Sequence, residues 1–120
     1  MKNAYYAFRK GSILLKKNKF LRAIMFLEKA RDIEPGKASI REALAISYYN
    51  CGLYDSAKKN FEKALEIDAS NDYAHYGLGL CLLKEMNIKL ASAHLKIATF
   101  MKPDYYPYRK TLSLLKNISL

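Results

Sequence analysis

Small and large apolar residues recur at an interval of thirty-four residues along the chain. Small residues coincide in three copies, at positions 23, 57 and 91, at 30, 64 and 98, and at 11, 45 and 79. Large residues recur with the same period, as Leu27, Phe61 and Leu95 do. Small side chains are required where helix axes approach to about 8–10 Å, and large ones fill the space beside such contacts. The period therefore predicts a repeated helix–helix contact.

Each copy divides into two stretches of about fourteen residues with helical spacing of apolar positions. The stretches are separated by KNKF, CGLY and EMNI, in which Asn18 and Gly52 suit a helix C-terminus. Asp55 is expected to cap a second helix, and the hairpins end near Pro35, Ala69 and Pro103. The pattern predicts helices over 4–17, 21–34, 38–51, 55–68, 72–85, 89–102 and 106–118, and it contains no strand signal.

The composition is that of one globular domain, since 51% of the 120 residues are hydrophobic and 27% are charged. No apolar run reaches the roughly 18–20 residues of a membrane span, and Arg9 and Lys10 precede any signal-peptide core. Cys51 and Cys81 lack metal-ligand or disulfide spacing, so we expect small buried thiols in a reducing compartment. We therefore expect a cytoplasmic protein without a cofactor.

The net charge of +10 is distributed unevenly along the chain. Residues 1–41 carry +8, residues 42–84 carry −2, and residues 85–120 carry +4. Both ends could therefore attract acidic partners.

The sequence contains no recognisable catalytic or metal-binding motif. His75 and His94 are nineteen residues apart, with no cysteine or paired carboxylate spacing nearby, so a packed or exposed imidazole is the favoured interpretation. The phosphate loop, the dinucleotide fingerprint and the nucleophile elbow are all missing. The serines and cysteines have no activating base beside them in sequence, which leaves a spatial partner open. We expect a protein that is not an enzyme.

These features resemble the tetratricopeptide repeat (TPR) family, whose motif has this length, this alternation of small and large residues and a closing proline. The resemblance covers residues 4–103. The first helices match the motif at Gly11, Leu44, Tyr48, Leu78 and Gly79. They depart from it at Ala7, Arg41 and His75, where an aromatic residue is usual, and at Lys10, where a large apolar residue is usual.

The resemblance implies an all-α fold, an α-solenoid (right-handed superhelix) of helix-turn-helix repeats. It implies one domain over 1–120, with repeats at about 4–37, 38–71 and 72–105 and a C-terminal capping helix at about 106–118. Leu112, Leu115 and Ile118 would face inward from that helix, whereas Leu114 and Leu120 add apolar surface near its other side.

The resemblance also implies that the first helices line a concave groove that receives a peptide or a helix of another protein. In the third copy, one apolar stripe is left over beside the stripe that packs against the partner helix. The predicted groove residues are Tyr5, Phe8, Arg9, Ser12, Lys16, Glu42, Ala43, Ile46, Tyr49, Asn50, Tyr73, Tyr76, Leu80, Leu83 and Lys84, flanked by Lys110.

This groove is aromatic and mostly apolar, with cations toward its edges, so we expect a ligand with apolar anchors and acidic flanks. Ile46 and Leu80 could instead belong to the core between repeats. Tyr5, Phe8, Tyr49, Tyr73 and Tyr76 are expected to be exposed, because tyrosine in particular tolerates a wet edge.

Some TPR domains grip the C-terminal carboxylates of heat-shock chaperones with two lysines, two asparagines and an arginine. The corresponding positions here hold Phe8, Ser12, Ala43, Tyr73 and Gly77. A clamp without cations cannot neutralise a carboxylate, so we expect no binding of those tails by that mechanism.

Two alternatives remain open. Lys16, Lys17, Lys19 and Arg22 surround the first turn, where they could contact nucleic acid or an anionic membrane, although a solvated turn is favoured. Homotypic assembly could insert the C-terminal helix of one molecule, with Leu112, Leu114, Leu115 and Ile118, into the groove or open end of another.

Overall fold

The computed structural model describes residues 3–118, which form seven helices and no strand. Every helix begins and ends within one residue of its predicted bounds. We refer to α1, α3 and α5 as the A helices and to α2, α4 and α6 as the B helices. The helices are α1 (Ala4–Lys16), α2 (Phe20–Ile33), α3 (Ala38–Asn50), α4 (Tyr54–Ile67), α5 (Asp72–Lys84), α6 (Ile88–Met101) and α7 (Tyr106–Ile118).

The helices pair into three consecutive hairpins, which stack in chain order. Each A helix packs against the B helix that follows it, and each B helix packs against the next A helix. Neighbouring A helices also touch one another, so they form a continuous inner layer. The described chain measures 51 × 25 × 22 Å, as expected of an elongated stack. The predicted all-α solenoid is confirmed.

Small residues allow close approach of the two helices within each hairpin. A Cβ atom on Gly11 would lie 2.6 Å from Cγ of Leu27, and one on Gly79 would lie 2.8 Å from Cγ of Leu95. Both distances are shorter than van der Waals contact, so the leucine of the B helix fills the space that glycine leaves. Ala45 occupies the same place in the middle hairpin and is completely buried.

A second close contact joins the middle hairpin to the third one. The ring of Phe61 on α4 lies directly against the backbone of α5, where a Cβ atom on Gly77 would be 2.2 Å from Cζ of the ring. Gly77 therefore serves packing between repeats, and any side chain at this position would displace the buried phenylalanine.

The three hairpin turns share one geometry. Asn18, Gly52 and Met86 each follow the C-terminal cap of an A helix with φ of 60°, 79° and 62°. The next residue donates its backbone N–H across the turn, as Leu53 does to the carbonyl of Tyr48 at 2.9 Å. This bond, from one residue to the residue five earlier, is the Schellman arrangement. The predicted roles of Asn18 and Gly52 are confirmed. Met86 also has φ > 0, although methionine is not one of the residue types that usually adopt this conformation.

The predicted cap at Asp55 is wrong. Helix α4 begins at Tyr54, and its N-cap is Leu53, which makes no side-chain capping bond. Asp55 instead lies in the first turn, where its negative charge interacts favourably with the helix dipole. Side-chain capping occurs at other helices, for example at α5, where Oδ1 of Asn71 accepts from the backbone N–H of Ala74 at 2.9 Å.

At two positions where the motif usually has an aromatic residue, this chain has a polar residue that forms a hydrogen bond to the following B helix. In the middle hairpin, Nη1 of Arg41 donates to Oδ1 of Asn60 at 3.4 Å, and its Nε donates to the carbonyl of Pro35 at 3.1 Å. In the third hairpin the equivalent residues are His75 and His94, whose Nδ1 atoms are 3.1 Å apart in a hydrogen bond. Each pair therefore joins an A helix to its own B helix.

Helix α7 packs on the third hairpin as a further A helix would. Tyr108 is buried, and its hydroxyl donates to Oδ2 of Asp72 at 2.6 Å. Tyr76 shares a hydrogen bond of 3.2 Å with the hydroxyl of Thr111. Leu115 is buried as predicted, and Leu112 is half-buried. The side chain of Ile118 and the whole of Leu120 lie outside the residues that the structure describes.

The two thiols differ in environment. Cys81 is completely buried, and burial raises the pKa of its thiol to about 12, so it behaves as a small apolar core residue. Cys51 is only half-buried, so the prediction of two buried cysteines holds for Cys81 alone.

We predict that Ala57→Leu destabilises the fold by about 1–3 kcal/mol, because Ala57 is fully buried at the crossing of α3 and α4. The matched control is Ala93→Leu on α6, where the side chain is exposed. Urea denaturation followed by circular dichroism measures both free energies of unfolding. Equal stability of the two variants would contradict the proposed packing.

We also predict that His94 contributes a loss of stability as the pH is lowered from 7.5 to 5.5. Burial, and then the charge of His75, lower the pKa of His94 below its ordinary value of 6.5 in the folded state. The unfolded chain therefore binds more protons at His94 than the folded chain does as the pH falls through 6.5. The contribution of His94 to the free energy of unfolding decreases accordingly.

The control for this pH effect is His94→Asn, which copies Asn60 of the middle hairpin. Urea denaturation at several pH values should show a shallower pH dependence for this variant than for the wild type. Parallel stability curves would show that His94 does not contribute to the effect.

Candidate functional site

The predicted groove residues lie on the A helices, in the layer where α1, α3 and α5 contact one another. Ala43 is buried and does not contribute to the surface. Five of the groove residues are exposed, namely Tyr5, Arg9, Lys16, Asn50 and Lys84. Nine are half-buried, namely Phe8, Ser12, Glu42, Ile46, Tyr49, Tyr73, Tyr76, Leu80 and Leu83.

The aromatic side chains are less accessible than predicted. Of the five rings expected to be exposed, only Tyr5 is, with 65% of its surface accessible. Phe8, Tyr49 and Tyr73 pack on the buried core from outside, as Ile46 and Leu83 do. Each of these rings is therefore partly covered by the fold and keeps part of its surface accessible.

The rings also contact one another, within α5, between the two helices of the middle hairpin, and between α5 and α7. The ring centroids of Tyr73 and Tyr76 are 5.8 Å apart, and those of Tyr76 and Tyr108 are 4.8 Å apart. Tyr49 meets Tyr54 edge to face at 5.1 Å. These separations are typical of favourable aromatic pairs. Burial, and then the neighbouring Tyr76 and Glu42, raise the pKa of Tyr73 to about 12, so its hydroxyl stays neutral.

The cations of the groove lie beside aromatic residues. Nζ of Lys84 is 5.0 Å from the ring centroid of Tyr54, and Nζ of Lys110 is 5.9 Å from that of Tyr106. Nη1 of Arg9 is 3.4 Å from the hydroxyl of Tyr5. Cation–π contacts of this kind hold the lysines near the ends of the groove.

Glu42 is the one acidic residue among the predicted groove positions. Burial raises the pKa of its carboxyl group, the amide of Asn71 lowers it, and the negative charge of Asp72 raises it further. The net effect is a raised pKa, so the carboxylate is held in an environment that disfavours its charge.

The structure adds residues to this surface that the sequence did not predict. Leu114 on α7 follows Leu80 by thirty-four residues, and 54% of its surface is exposed. It therefore occupies the position on α7 that corresponds to the predicted groove residue Leu80, and the repeat alignment could have identified it. Tyr54 could not be found in this way, because it reaches Tyr49 through a contact between α3 and α4. Tyr108 contacts Tyr76 but is buried, so it does not contribute to the surface.

Within residues 3–118, no three His, Cys, Asp or Glu side chains are placed together so that they could hold a metal ion. No helix in this part of the chain is long and apolar enough to cross a bilayer.

Two family models match the chain. One, described as a tetratricopeptide repeat, matches residues 4–37, and the other, described as a TPR repeat, matches residues 47–85. The chain belongs to the tetratricopeptide repeat family. These two matches cover the first hairpin and the junction between the second and the third.

The TPR chain is similar to a segment of a much longer curated protein. It is 31% identical over 114 residues to the anaphase-promoting complex subunit CDC16 of Saccharomyces cerevisiae. The match includes 89% of this chain but only 13% of that subunit.

Solved TPR structures have the same fold. The first TPR domain of Spaghetti (RPAP3), bound to the HSP90 peptide SRMEEVD, has a TM-score of 0.90 at 17% identity, covering 96% of this chain and 91% of that one. YrrB, a TPR protein with an unusual peptide-binding site, has a TM-score of 0.85 at 26% identity. That match covers 95% of this chain and 59% of YrrB.

The positions of the carboxylate clamp are neutral in this TPR chain, and two of them are closed by packing. Ala43 is buried, and a side chain at Gly77 would collide with Phe61. Phe8 and Tyr73 present rings, and Ser12 presents a hydroxyl. At the positions that the resemblance assigns to the clamp, the chain therefore has no cation.

Proposed function

We propose that this chain is a non-enzymatic protein-interaction module whose groove binds an extended or helical segment of another protein. The observation that carries the proposal is the set of half-buried rings on the A helices, namely Phe8, Tyr49, Tyr73 and Tyr76, of which the first three pack against the core. Rings of this kind commonly act as anchors that dominate affinity at an interface.

The fold supplies these anchors in a fixed arrangement. Tyr73 and Tyr76 contact each other, and Tyr76 also contacts the buried ring of Tyr108, so the two groove side chains lose little further freedom when a ligand binds. Preorganisation of this kind favours affinity because it reduces the entropy lost on association. A groove of this composition suits apolar or aromatic anchors on the partner.

Relatives of the same fold support a protein partner. The TPR domain of Spaghetti is bound to an HSP90 peptide, and YrrB is described as having a peptide-binding site. We transfer only the general mode of binding to this chain, namely recognition of a segment of another protein. We place the module in the cytoplasm as part of the proposal, because Cys51 and Cys81 are both unpaired, which fits a reducing compartment.

End-to-end assembly of copies is a weaker alternative. Ser113 and Lys116 of α7 follow Gly79 and Leu82 by thirty-four residues, the positions that pack against a B helix in the third hairpin. In α7 both are exposed and polar, so this face suits water better than another hairpin. Mass that increases with protein concentration would favour this alternative.

The basic turn is the other alternative. Lys16, Lys17, Lys19 and Arg22 are all exposed around the first hairpin turn, as expected of solvated side chains. Retention on nucleic acid or anionic vesicles with a steep dependence on salt would favour binding through this turn.

We predict that Tyr49→Ala/Tyr76→Ala weakens partner binding about tenfold or more, because it removes two ring anchors. Affinity capture followed by mass spectrometry compares the proteins bound by the wild type and by the variant. The control is Leu21→Ala/Phe100→Ala, which removes two exposed apolar side chains from the B helices. Because Tyr76 also contacts α7, circular dichroism must show that both variants remain folded.

A second variant tests the same surface with a smaller effect on packing. Leu114→Lys adds a charge to the exposed end of the groove at a residue whose side chain is mostly in solvent. If neither this variant nor the double variant changes the bound set, the groove is not the binding surface.

We also predict that the HSP90 peptide SRMEEVD does not bind this groove with a dissociation constant tighter than about 1 mM. The clamp positions carry no cation, so the cost of desolvating the peptide carboxylates is not offset. Fluorescence anisotropy with labelled peptide measures binding, and the TPR domain of Spaghetti serves as the positive control. Saturable binding that Tyr49→Ala/Tyr76→Ala abolishes would contradict this prediction.

A further inference from the structure

Glu42, the acidic residue in the middle of the predicted groove, indicates which charge on a ligand this part of the groove favours. Glu42 lies on α3, the central A helix, thirty-four residues after Phe8 and thirty-four residues before Tyr76. Successive A helices touch, so residues at equivalent positions follow one another along the groove. The positions equivalent to the half-buried Glu42 on the two neighbouring A helices are therefore both aromatic, and Tyr73 on α5 is close enough for the charge of Glu42 to raise its pKa.

Glu42 has no cationic partner within residues 3–118, since none of the ion pairs in this part of the chain includes it. Among the groove cations, Lys84 is engaged with the ring of Tyr54. A carboxylate that loses water without gaining a cation or full hydrogen bonding is destabilising. The raised pKa of Glu42 has this same cause.

We propose that the groove binds a partner segment whose lysine or arginine side chain pairs with Glu42 between Phe8 and Tyr76. This inference rests on the proposed function, because it requires the groove to be the binding surface. A basic side chain suits the position beside Glu42 for two reasons. Its charge pairs with the carboxylate, and its stem and cationic head pack on aromatic rings. Arginine is the better fit, since a guanidinium group stacks on rings and binds carboxylate with two parallel hydrogen bonds.

The rest of the groove defines the charges on either side of this basic anchor. Arg9 and Lys16 lie on α1, whereas Lys84 on α5 and Lys110 on α7 lie beyond Glu42 in the other direction. All four are exposed. Charge complementarity therefore favours a segment with acidic residues toward both ends and a basic residue between them. A uniformly acidic segment would place a carboxylate against Glu42, and this repulsion selects against it.

The test is selection of a phage-displayed random dodecapeptide library on the intact chain, the Glu42→Gln variant and the Glu62→Gln control. Glu62 is exposed on the B helix α4, so the control makes the same chemical change away from the groove. Peptides enriched by the wild type and by the control should contain a lysine or arginine flanked by acidic residues. The Glu42→Gln variant should lose this enrichment.

A synthetic copy of the most enriched peptide then allows a double-mutant cycle. Changing its basic residue to glutamine should weaken binding to the wild type about tenfold, the effect of one charged hydrogen bond. The same peptide change should have little effect on binding to Glu42→Gln, because the partner carboxylate is already missing. Calorimetry or fluorescence anisotropy measures the four dissociation constants.

The outcomes separate this inference from the proposed function. Enriched peptides that require Tyr49 and Tyr76 but contain no basic residue, or that bind Glu42→Gln equally well, would overturn the basic anchor and leave the groove in place. If the wild type enriches no peptide, or if the enriched peptides bind independently of both tyrosines, the groove itself is contradicted and the basic anchor with it.

Discussion

The architecture depends on how closely the helix backbones can approach one another. Leu27 and Leu95 occupy the space that Gly11 and Gly79 leave open, and Phe61 does the same at Gly77. Side chains cannot share this space, so the small residues set the separation of the helices and thereby the spacing of the hairpins. The inner layer of A helices, and the surface it presents, follow from this spacing.

Much of the fold could be predicted from the sequence because the signals are local and repeated. The alternation of small and large residues identified every helix to within one residue. The failures concern features that local preference does not determine. Met86 adopts a left-handed conformation because its turn is closed by the same backbone bonds as those at Asn18 and Gly52. Asp55, a favourable capping residue by type, lies one position inside the helix instead.

The exposure of the groove residues was harder to predict from the sequence, because it depends on neighbouring repeats. The half-burial of Tyr73 and Tyr49 results from packing on a core that several helices build together. The environment of Glu42 depends on Asn71 and Asp72, which belong to the following hairpin. Periodicity identifies which residues share a face, but it does not give the depth to which adjacent repeats cover each side chain.

Tyr76 has two roles in the structure. Its ring lies in the groove, and the same ring contacts Tyr108 while its hydroxyl bonds to Thr111, so it also holds α7 in place. A ligand that packs on Tyr76 only while α7 is docked shifts the equilibrium away from undocking, by an amount that increases with ligand concentration. Under the proposed function, groove binding and the order of the C-terminal end of the stack are therefore thermodynamically linked through the side chain of Tyr76.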